Sequence, residues 1–411
     1  MSQTPRTSFP KDQIKVLLLE NIHPLAKDIF TGEGFQVETA SGALSPTQLR
    51  EKLRDVHVLG IRSKTNVTAE ALADAKRLLT IGAFCIGTNQ IDLDTARLKG
   101  IPVFNAPFGN TRSVAEMVLA EIIMLSRQLG QRTQEMHKKV WKKVSTQCFE
   151  VRGKTLGIIG YGNIGTQVST LAEALGMTVI FFDIVAKLPR GNAKACNSIT
   201  ELLKEADFVT LHVPATPQTE NMISVEELKL MKPNSYLINA SRGTVVDVPA
   251  LADALKSKHL AGAAIDVFPE EPENNTESFA TELQGISNMI LTPHIGGATE
   301  EAQANIGGEV PAALIRFVNS GATPNSVNFP IVDLPPTRKS HRILNVHQNV
   351  PGVLREINRI VSDLGANIAA QALATDADIG YLVMDTDQEL STKIKQEIEA
   401  LKTSIKTRIL Y

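Results

Sequence analysis

Apolar and polar positions alternate in blocks over the first hundred residues. Short apolar runs at 15–19, 36–38, 56–61, 80–84 and 102–104 are separated by polar, helix-compatible stretches. Apolar runs of strand length, alternating with helices, predict a parallel sheet flanked by helices. The pattern returns after residue 150, with strands predicted at 155–159, 177–182, 208–211, 236–239, 263–265 and 289–291. The stretch 114–129 is the most apolar long segment, yet it carries Glu116, Glu121 and Arg127. It predicts a buried amphipathic helix and not a membrane span. Another helix is predicted at 300–317. The run Asn328-Phe329-Pro330-Ile331-Val332-Asp333-Leu334-Pro335-Pro336 reads as a stiff linker, because proline lacks an N–H and favours extended backbone. Beyond it the pattern changes. Strands predicted at 342–346, 367–374, 380–385 and 405–410, with helices at 351–363 and 388–402, give the order βαββαβ, which is ferredoxin-like.

One block carries a motif. The strand at 155–159 runs into Gly160-Tyr161-Gly162-Asn163-Ile164-Gly165, a helix is predicted at 166–176, and the next strand ends on Asp183. Gly160 permits the tight turn, Gly162 lets backbone approach a pyrophosphate, and Gly165 lets helix and strand pack closely. The pyrophosphate of a dinucleotide then meets the N–H groups of a helix N-terminus. Asp183 stands where a carboxylate accepts hydrogen bonds from ribose hydroxyls. It would repel a 2′-phosphate, so the expected cofactor is NAD and not NADP. The fold class predicted is α/β: two Rossmann-like doubly wound parallel-sheet domains followed by a C-terminal ferredoxin-like α+β domain.

Bulk properties narrow the setting. With 411 residues, two or three domains are expected. A net charge of −2 gives no reason to expect nucleic acid or an anionic membrane as partner. Cys85, Cys148 and Cys196 are scattered, which predicts neither a disulfide framework nor a metal site and suits a reducing compartment. Residues 1–13 are polar without an apolar core segment, so a loose tail is expected rather than a signal peptide. The expected location is the cytoplasm.

Three polar residues follow predicted strands of the dinucleotide-binding block, where open parallel sheets place their ligands. Arg242 follows Asn239-Ala240-Ser241, Glu271 lies in Asp266-Val267-Phe268-Pro269-Glu270-Glu271-Pro272, and His294 follows Leu291-Thr292-Pro293. An arginine fork matches a carboxylate, a histidine moves a proton at neutral pH, and a glutamate on the far ring nitrogen fixes the tautomer. Taken singly, each residue could equally be a cap, a solvated loop residue or a satisfied turn histidine. Together, behind a dinucleotide motif, they are the parts for oxidising a 2-hydroxy acid.

These segments, with Thr292-Pro293-His294-Ile295-Gly296-Gly297, resemble the D-isomer-specific 2-hydroxyacid dehydrogenases. Over residues 14–411 the chain resembles the branch that has a C-terminal ACT domain, oxidises 3-phosphoglycerate and is inhibited by L-serine. The resemblance implies a discontinuous substrate-binding domain (1–107 and 296–330), an NAD domain (108–295) and an ACT domain (338–411). It implies NAD contacts from Gly160, Gly162, Asn163, Ile164, Gly165, Asp183, Ala240, Ser241, Arg242, Asp266, His294, Gly296 and Gly297. His212-Val213-Pro214 is expected to wall the adenine side. Arg62, Ser63, Asn110 and Lys143 are the implied substrate-side residues, Lys143 from the run Trp141-Lys142-Lys143. Alternatives are another 2-hydroxy acid, such as 2-hydroxyglutarate or glycerate, or an NAD-sensing binding protein without turnover. Formate dehydrogenases carry a glutamine where Glu271 stands, which argues against that branch.

The C-terminal runs His347-Gln348-Asn349-Val350-Pro351-Gly352 and Gly365-Ala366-Asn367 also look like an ACT domain. The resemblance implies L-serine as effector, held by His347, Asn349 and Asn367 between ACT domains of two subunits, in a homotetramer. The resembling sequences have Asn-Arg-Pro-Gly where this chain has Asn349-Val350-Pro351-Gly352, a loss of charge that bears on the strength of serine binding. Without serine binding, the module would serve assembly alone.

Overall fold

The structure is a computed structural model describing residues 9–272, 276–335, 337 and 339–410. These form two units, one from residues up to Pro107 and from Ala304 onward, the other Phe108–Gln303. Residues 1–8 of the expected tail and Pro336 of the expected linker lie outside the described residues.

In the first unit, strands β1 (Lys15–Leu18), β2 (Gln36–Thr39), β3 (Val58–Ile61), β4 (Thr80–Ala83) and β5 (Val103–Phe104) form a parallel sheet in the order β2-β1-β3-β4-β5. The three strands β3, β4 and β5 are buried at every position, which explains their unbroken apolar runs. This 2-1-3-4-5 order has a topological switch point between β1 and β3, where open parallel sheets bind ligands. From the helix Glu300–Ser320, Ile306, Val310, Leu314 and Phe317 recur at helical spacing and pack with Val16, Phe84 and Phe104.

The second unit holds β6 (Thr155–Ile159), β7 (Thr178–Phe182), β8 (Lys194–Ala195), β9 (Phe208–Leu211), β10 (Tyr236–Asn239), β11 (Gly262–Ile265) and β12 (Met289–Leu291). All are parallel, in the order β12-β11-β10-β9-β6-β7-β8. Its switch point lies between β6 and β9. The helix Thr111–Arg127 buries Val114, Ala115, Val118, Ile122 and Leu125 against this sheet. The helix expected at 166–176 begins earlier, as Asn163–Ala174, because Gly162 itself is the N-cap.

The C-terminal part of the first unit is an antiparallel sheet of β13 (His341–Gln348), β14 (Ile368–Thr375), β15 (Ile379–Thr386) and β16 (Ser404–Leu410), in the order β14-β15-β13-β16. Helices Val353–Asp363 and Ser391–Glu399 cover one face through Ile357, Ile394 and Ile398 against Ile343, Leu382 and Met384. Alternate residues Leu344, Val346, Tyr381 and Val383 point the other way. They join the same apolar cluster as Val16, Phe104, Phe317 and Phe329. Polar ties reinforce this shared core. Arg342 bonds both oxygens of Asp385 (2.7 and 2.8 Å) and donates to the carbonyls of Ser320, Leu334 and Pro335. The Tyr381 hydroxyl donates to Gly321 O at 2.6 Å. Arg97 reaches Asp376 (2.9 Å) and Asp378 (2.7 Å) in the β14–β15 turn.

Candidate active site

The carboxyl end of β6 is shaped by its glycines. Gly160 adopts φ 93°, and a Cβ there would collide with His212 O. A Cβ at Gly165 would collide with Gly160 O, so helix and strand meet at backbone distance. Around Gly162 the space is open: a Cβ would meet no atom within 4 Å. Gly162 caps the helix without a side-chain hydrogen bond. Open space at a helix N-terminus is the kind of place where an anion binds. Asp183 ties this turn to β7 by accepting from Tyr161 N (2.8 Å) and Val185 N (2.9 Å). His212 is half-buried, its Nε2 on Thr210 Oγ1 at 3.0 Å, and desolvation of the ring pushes its pKa down to about 3.

The loops after β10, β11 and β12 carry the titrating groups. His294 Nδ1 lies 2.8 Å from Glu271 Oε2, and Glu271 Oε1 also accepts from Phe268 N at 3.1 Å. The Glu271 hydrogen bond raises the His294 pKa; burial opposes it, the charges of Glu271 and Asp266 add to it, and Arg242 opposes. For Glu271, burial would raise the carboxyl, but the bonds from His294 and Phe268 and the positive charges nearby outweigh it and hold it low. His294 sits at φ 53°, a left-handed conformation that a non-glycine residue adopts only under constraint. The constraint is Asp266. Its backbone O accepts from His294 N (2.8 Å), and its carboxylate accepts from Thr292 Oγ1 (2.6 Å), Ile295 N (2.9 Å) and Gly296 N (2.9 Å). Arg242 is half-buried beside this pair, with Nη1 on Ser241 O at 2.6 Å. Its loop is seated by Gly243, where a Cβ would collide with the backbone of Phe268 and Pro269. Ala240 is half-buried and Ser241 buried in the same turn.

Two contributors were absent from the sequence reading as site residues. Asn239 organises the arginine loop by accepting from Ser241 N (3.0 Å) and Oγ (2.8 Å) and donating to Arg242 O (2.9 Å). An Asn at a strand end followed two residues on by Ser is an Asx-turn signal. Glu121 lies on the buried face of helix Thr111–Arg127, and neither carboxylate oxygen has a partner among the described residues. Burial, then the Asp266 charge, push it up to about 8, so the neutral acid predominates at pH 7.

The substrate-side residues are divided. Arg62 (half-buried) and Ser63 (exposed) follow β3 in the first unit. Asn110 is the N-cap of helix Thr111–Arg127 in the second, and its side chain packs over Gly297. Lys143 is exposed in an irregular segment. In the C-terminal sheet, His347 is buried against Gly380, its Nδ1 3.3 Å from Gln348 O, and burial lowers its pKa. Asn349 is exposed; its N–H donates to Asp378 O (2.8 Å) and its amide to Asp376 O (2.6 Å). Asn367 is exposed, with N–H on Asp387 Oδ2 at 2.7 Å.

Residues 119–296 match the family model described as D-isomer specific 2-hydroxyacid dehydrogenase, NAD binding domain, and 343–406 match the AHAS small subunit-like ACT domain. The chain is 58% identical to D-3-phosphoglycerate dehydrogenase of Dictyostelium discoideum, across 99% of this chain and 100% of the relative. It is 51% identical to D-3-phosphoglycerate dehydrogenase of Escherichia coli K12, with the same coverage. Among solved structures, D-lactate dehydrogenase from Aquifex aeolicus, complexed with NAD and lactic acid, matches with a TM-score of 0.65 at 30% identity, over 74% of this chain and 95% of that one. On these matches the chain belongs to the D-isomer specific 2-hydroxyacid dehydrogenase family, with an NAD-binding domain and an ACT domain.

Proposed function

We propose that the protein oxidises 3-phospho-D-glycerate to 3-phosphohydroxypyruvate with NAD, the first step of L-serine biosynthesis, under feedback inhibition by L-serine. The observation that carries the chemistry is the 2.8 Å contact between His294 Nδ1 and Glu271 Oε2. It commits Nδ1 to the carboxylate and leaves Nε2 to take the substrate hydroxyl proton. Glu271 stabilises the imidazolium that results. Arg242 anchors the substrate carboxylate through its planar fork. Bound NAD supplies the hydride acceptor. Its pyrophosphate would be held by the Gly160–Gly165 turn, its ribose by Asp183, and its nicotinamide end by Ala240, Ser241 and Asp266. Arg62, Ser63, Asn110 and Lys143 hold the substrate, with Arg62 and Ser63 on the phosphate. Residues 1–107 with 296–330 form the substrate-binding domain and 108–295 the NAD domain. The ACT domain, 338–411, holds L-serine through His347, Asn349 and Asn367 between two subunits of a cytoplasmic homotetramer. Among the described residues, no helix is long and apolar enough to cross a membrane.

The test is NADH-linked turnover with 3-phosphoglycerate, D-2-hydroxyglutarate and D-glycerate, each with and without millimolar L-serine, alongside light scattering for subunit number. Turnover of the phosphate ester that serine suppresses is expected. Turnover confined to another acid reassigns the substrate. Absence of turnover with all three leaves an NAD-binding protein. Turnover indifferent to serine makes the ACT domain an assembly module.

A further inference from the structure

The switch point of the first sheet is occupied by the protein's own carboxylate. After β1 the chain passes through Glu20 and Asn21, two consecutive non-glycine residues at φ 62° and 51°. Such a pair is sterically costly and turns the Glu20 side chain inward. The residue is buried at 7% exposure. Its Oε1 accepts from Arg62 N (3.1 Å) and Thr65 N (2.9 Å), and its Oε2 accepts from Lys64 N (2.9 Å). Three backbone donors of one loop therefore converge on one side chain, a concave nest of the kind that binds anions. From the other side, Gln90 Nε2 donates to Arg62 O at 2.6 Å. The Arg62 backbone is thus pinned at both its N–H and its C=O. The Ser63 and Lys64 side chains remain exposed, and Arg62 is half-buried.

We propose that Glu20 is the positioning residue for the phosphate end of the substrate. By filling the backbone nest of the Arg62–Thr65 loop, it denies that nest to the substrate and aims Arg62, Ser63 and Lys64 as the groups that read the phosphate. The inference rests on the assignment of Arg62 and Ser63 to the phosphate. It adds the residue that sets their geometry, and it predicts that phosphate is read by side chains and not by backbone N–H groups.

Glu20→Ala opens the nest, and Glu20→Gln keeps its volume while leaving one acceptor oxygen for three donors. Steady-state kinetics with 3-phosphoglycerate and with D-glycerate, which lacks the phosphate, separate positioning from general damage. For Glu20→Ala the expected result is a KM for 3-phosphoglycerate raised about 10- to 100-fold. The kcat, the KM for NAD and the kcat/KM for D-glycerate stay near wild type. Glu20→Gln should fall between. Formate, a carboxylate small enough for the opened nest, should lower the raised KM of Glu20→Ala and not that of the wild type. Arg62→Ala is the reference. If it raises the KM for 3-phosphoglycerate and neither Glu20 variant does, the role of Glu20 is overturned while the Arg62 assignment stands. If Arg62→Ala has no effect, the phosphate assignment fails and takes this inference with it. Equal losses for both acids in Glu20→Gln, without formate rescue in Glu20→Ala, would make Glu20 a purely structural residue and overturn the proposal.

Discussion

The two parallel sheets solve the same topological problem in opposite ways. Each has a switch point beside its first strand, between β1 and β3 or between β6 and β9. After β6 stand glycines, with open space at Gly162, the N-cap of the helix that follows. After β1 stands Glu20, whose carboxylate occupies three backbone donors of the neighbouring loop. Sheet order alone therefore does not make an anion site. The turn chemistry at one or two residues decides whether backbone donors stay available or are spent internally. In the proposed division of labour, the glycine turn takes the cofactor's pyrophosphate, and the carboxylate turn passes recognition of the second anion to side chains.

The strongest test of that division removes the proton-transfer group. His294→Ala should lower NAD-linked turnover by about 10²- to 10⁴-fold while NADH binding, read by fluorescence, persists. Wild-type turnover would break the assignment of chemistry to the second unit. Next come the glycines. Gly162→Ala has room in the fold, so the melting temperature should hold while the KM for NAD rises about tenfold or more. Gly165→Ala meets backbone and should lower stability by about 1–3 kcal/mol. A Gly162→Ala protein with unaltered NAD affinity would mean that the open space is not where the pyrophosphate lies. A subtler test uses pH. Hydroxyl oxidation needs the neutral imidazole, so kcat/KM should rise as pH climbs through the raised His294 pKa. Glu271→Gln removes the stabilising charge, so that rise should move to lower pH, with a smaller kcat. A profile that stays in place would uncouple the pair. The smallest effect belongs to Arg97→Ala. Partly exposed ion pairs are worth little, so thermal stability should fall by about 1 kcal/mol or less. Basal turnover should hold, and inhibition by serine should weaken, because Asn349 and Arg97 grip the same turn. Unchanged inhibition would show that this turn carries no signal.

Much of this was legible in the chain, for identifiable reasons. The buried strands announced themselves as unbroken apolar runs, and the C-terminal βαββαβ order is the one observed. Strand β8 was missed because Lys194 and Ala195 are both exposed and carry no apolar pattern. Glu121 was legible in principle, since it lies seven residues after Val114 and four before Leu125, on the buried face. Glu20 was not legible at all. Its meaning depends on donors 42 to 45 residues away, brought to it by the pairing of β1 with β3. Periodicity cannot report a contact of that span. The left-handed backbone at Glu20 leaves no mark in the sequence either, and Asn21, a residue type that tolerates that conformation, marks a turn without saying what its neighbour binds.

The apolar cluster shared by the first sheet and the C-terminal sheet has a consequence for how the molecule comes apart. Phe104 and Phe317 pack in the same cluster as Leu344 and Tyr381, so deleting residues 341–410 would leave a wound in the remaining unit instead of a clean surface. The C-terminal ACT domain is thus a partner in folding. Calorimetry should find two cooperative melting transitions and not three, the ACT domain melting with β1–β5. NAD, acting on the native state by mass action, should lift mainly the other transition. A chimera that borrowed this effector module would have to borrow the face of the sheet it rests on.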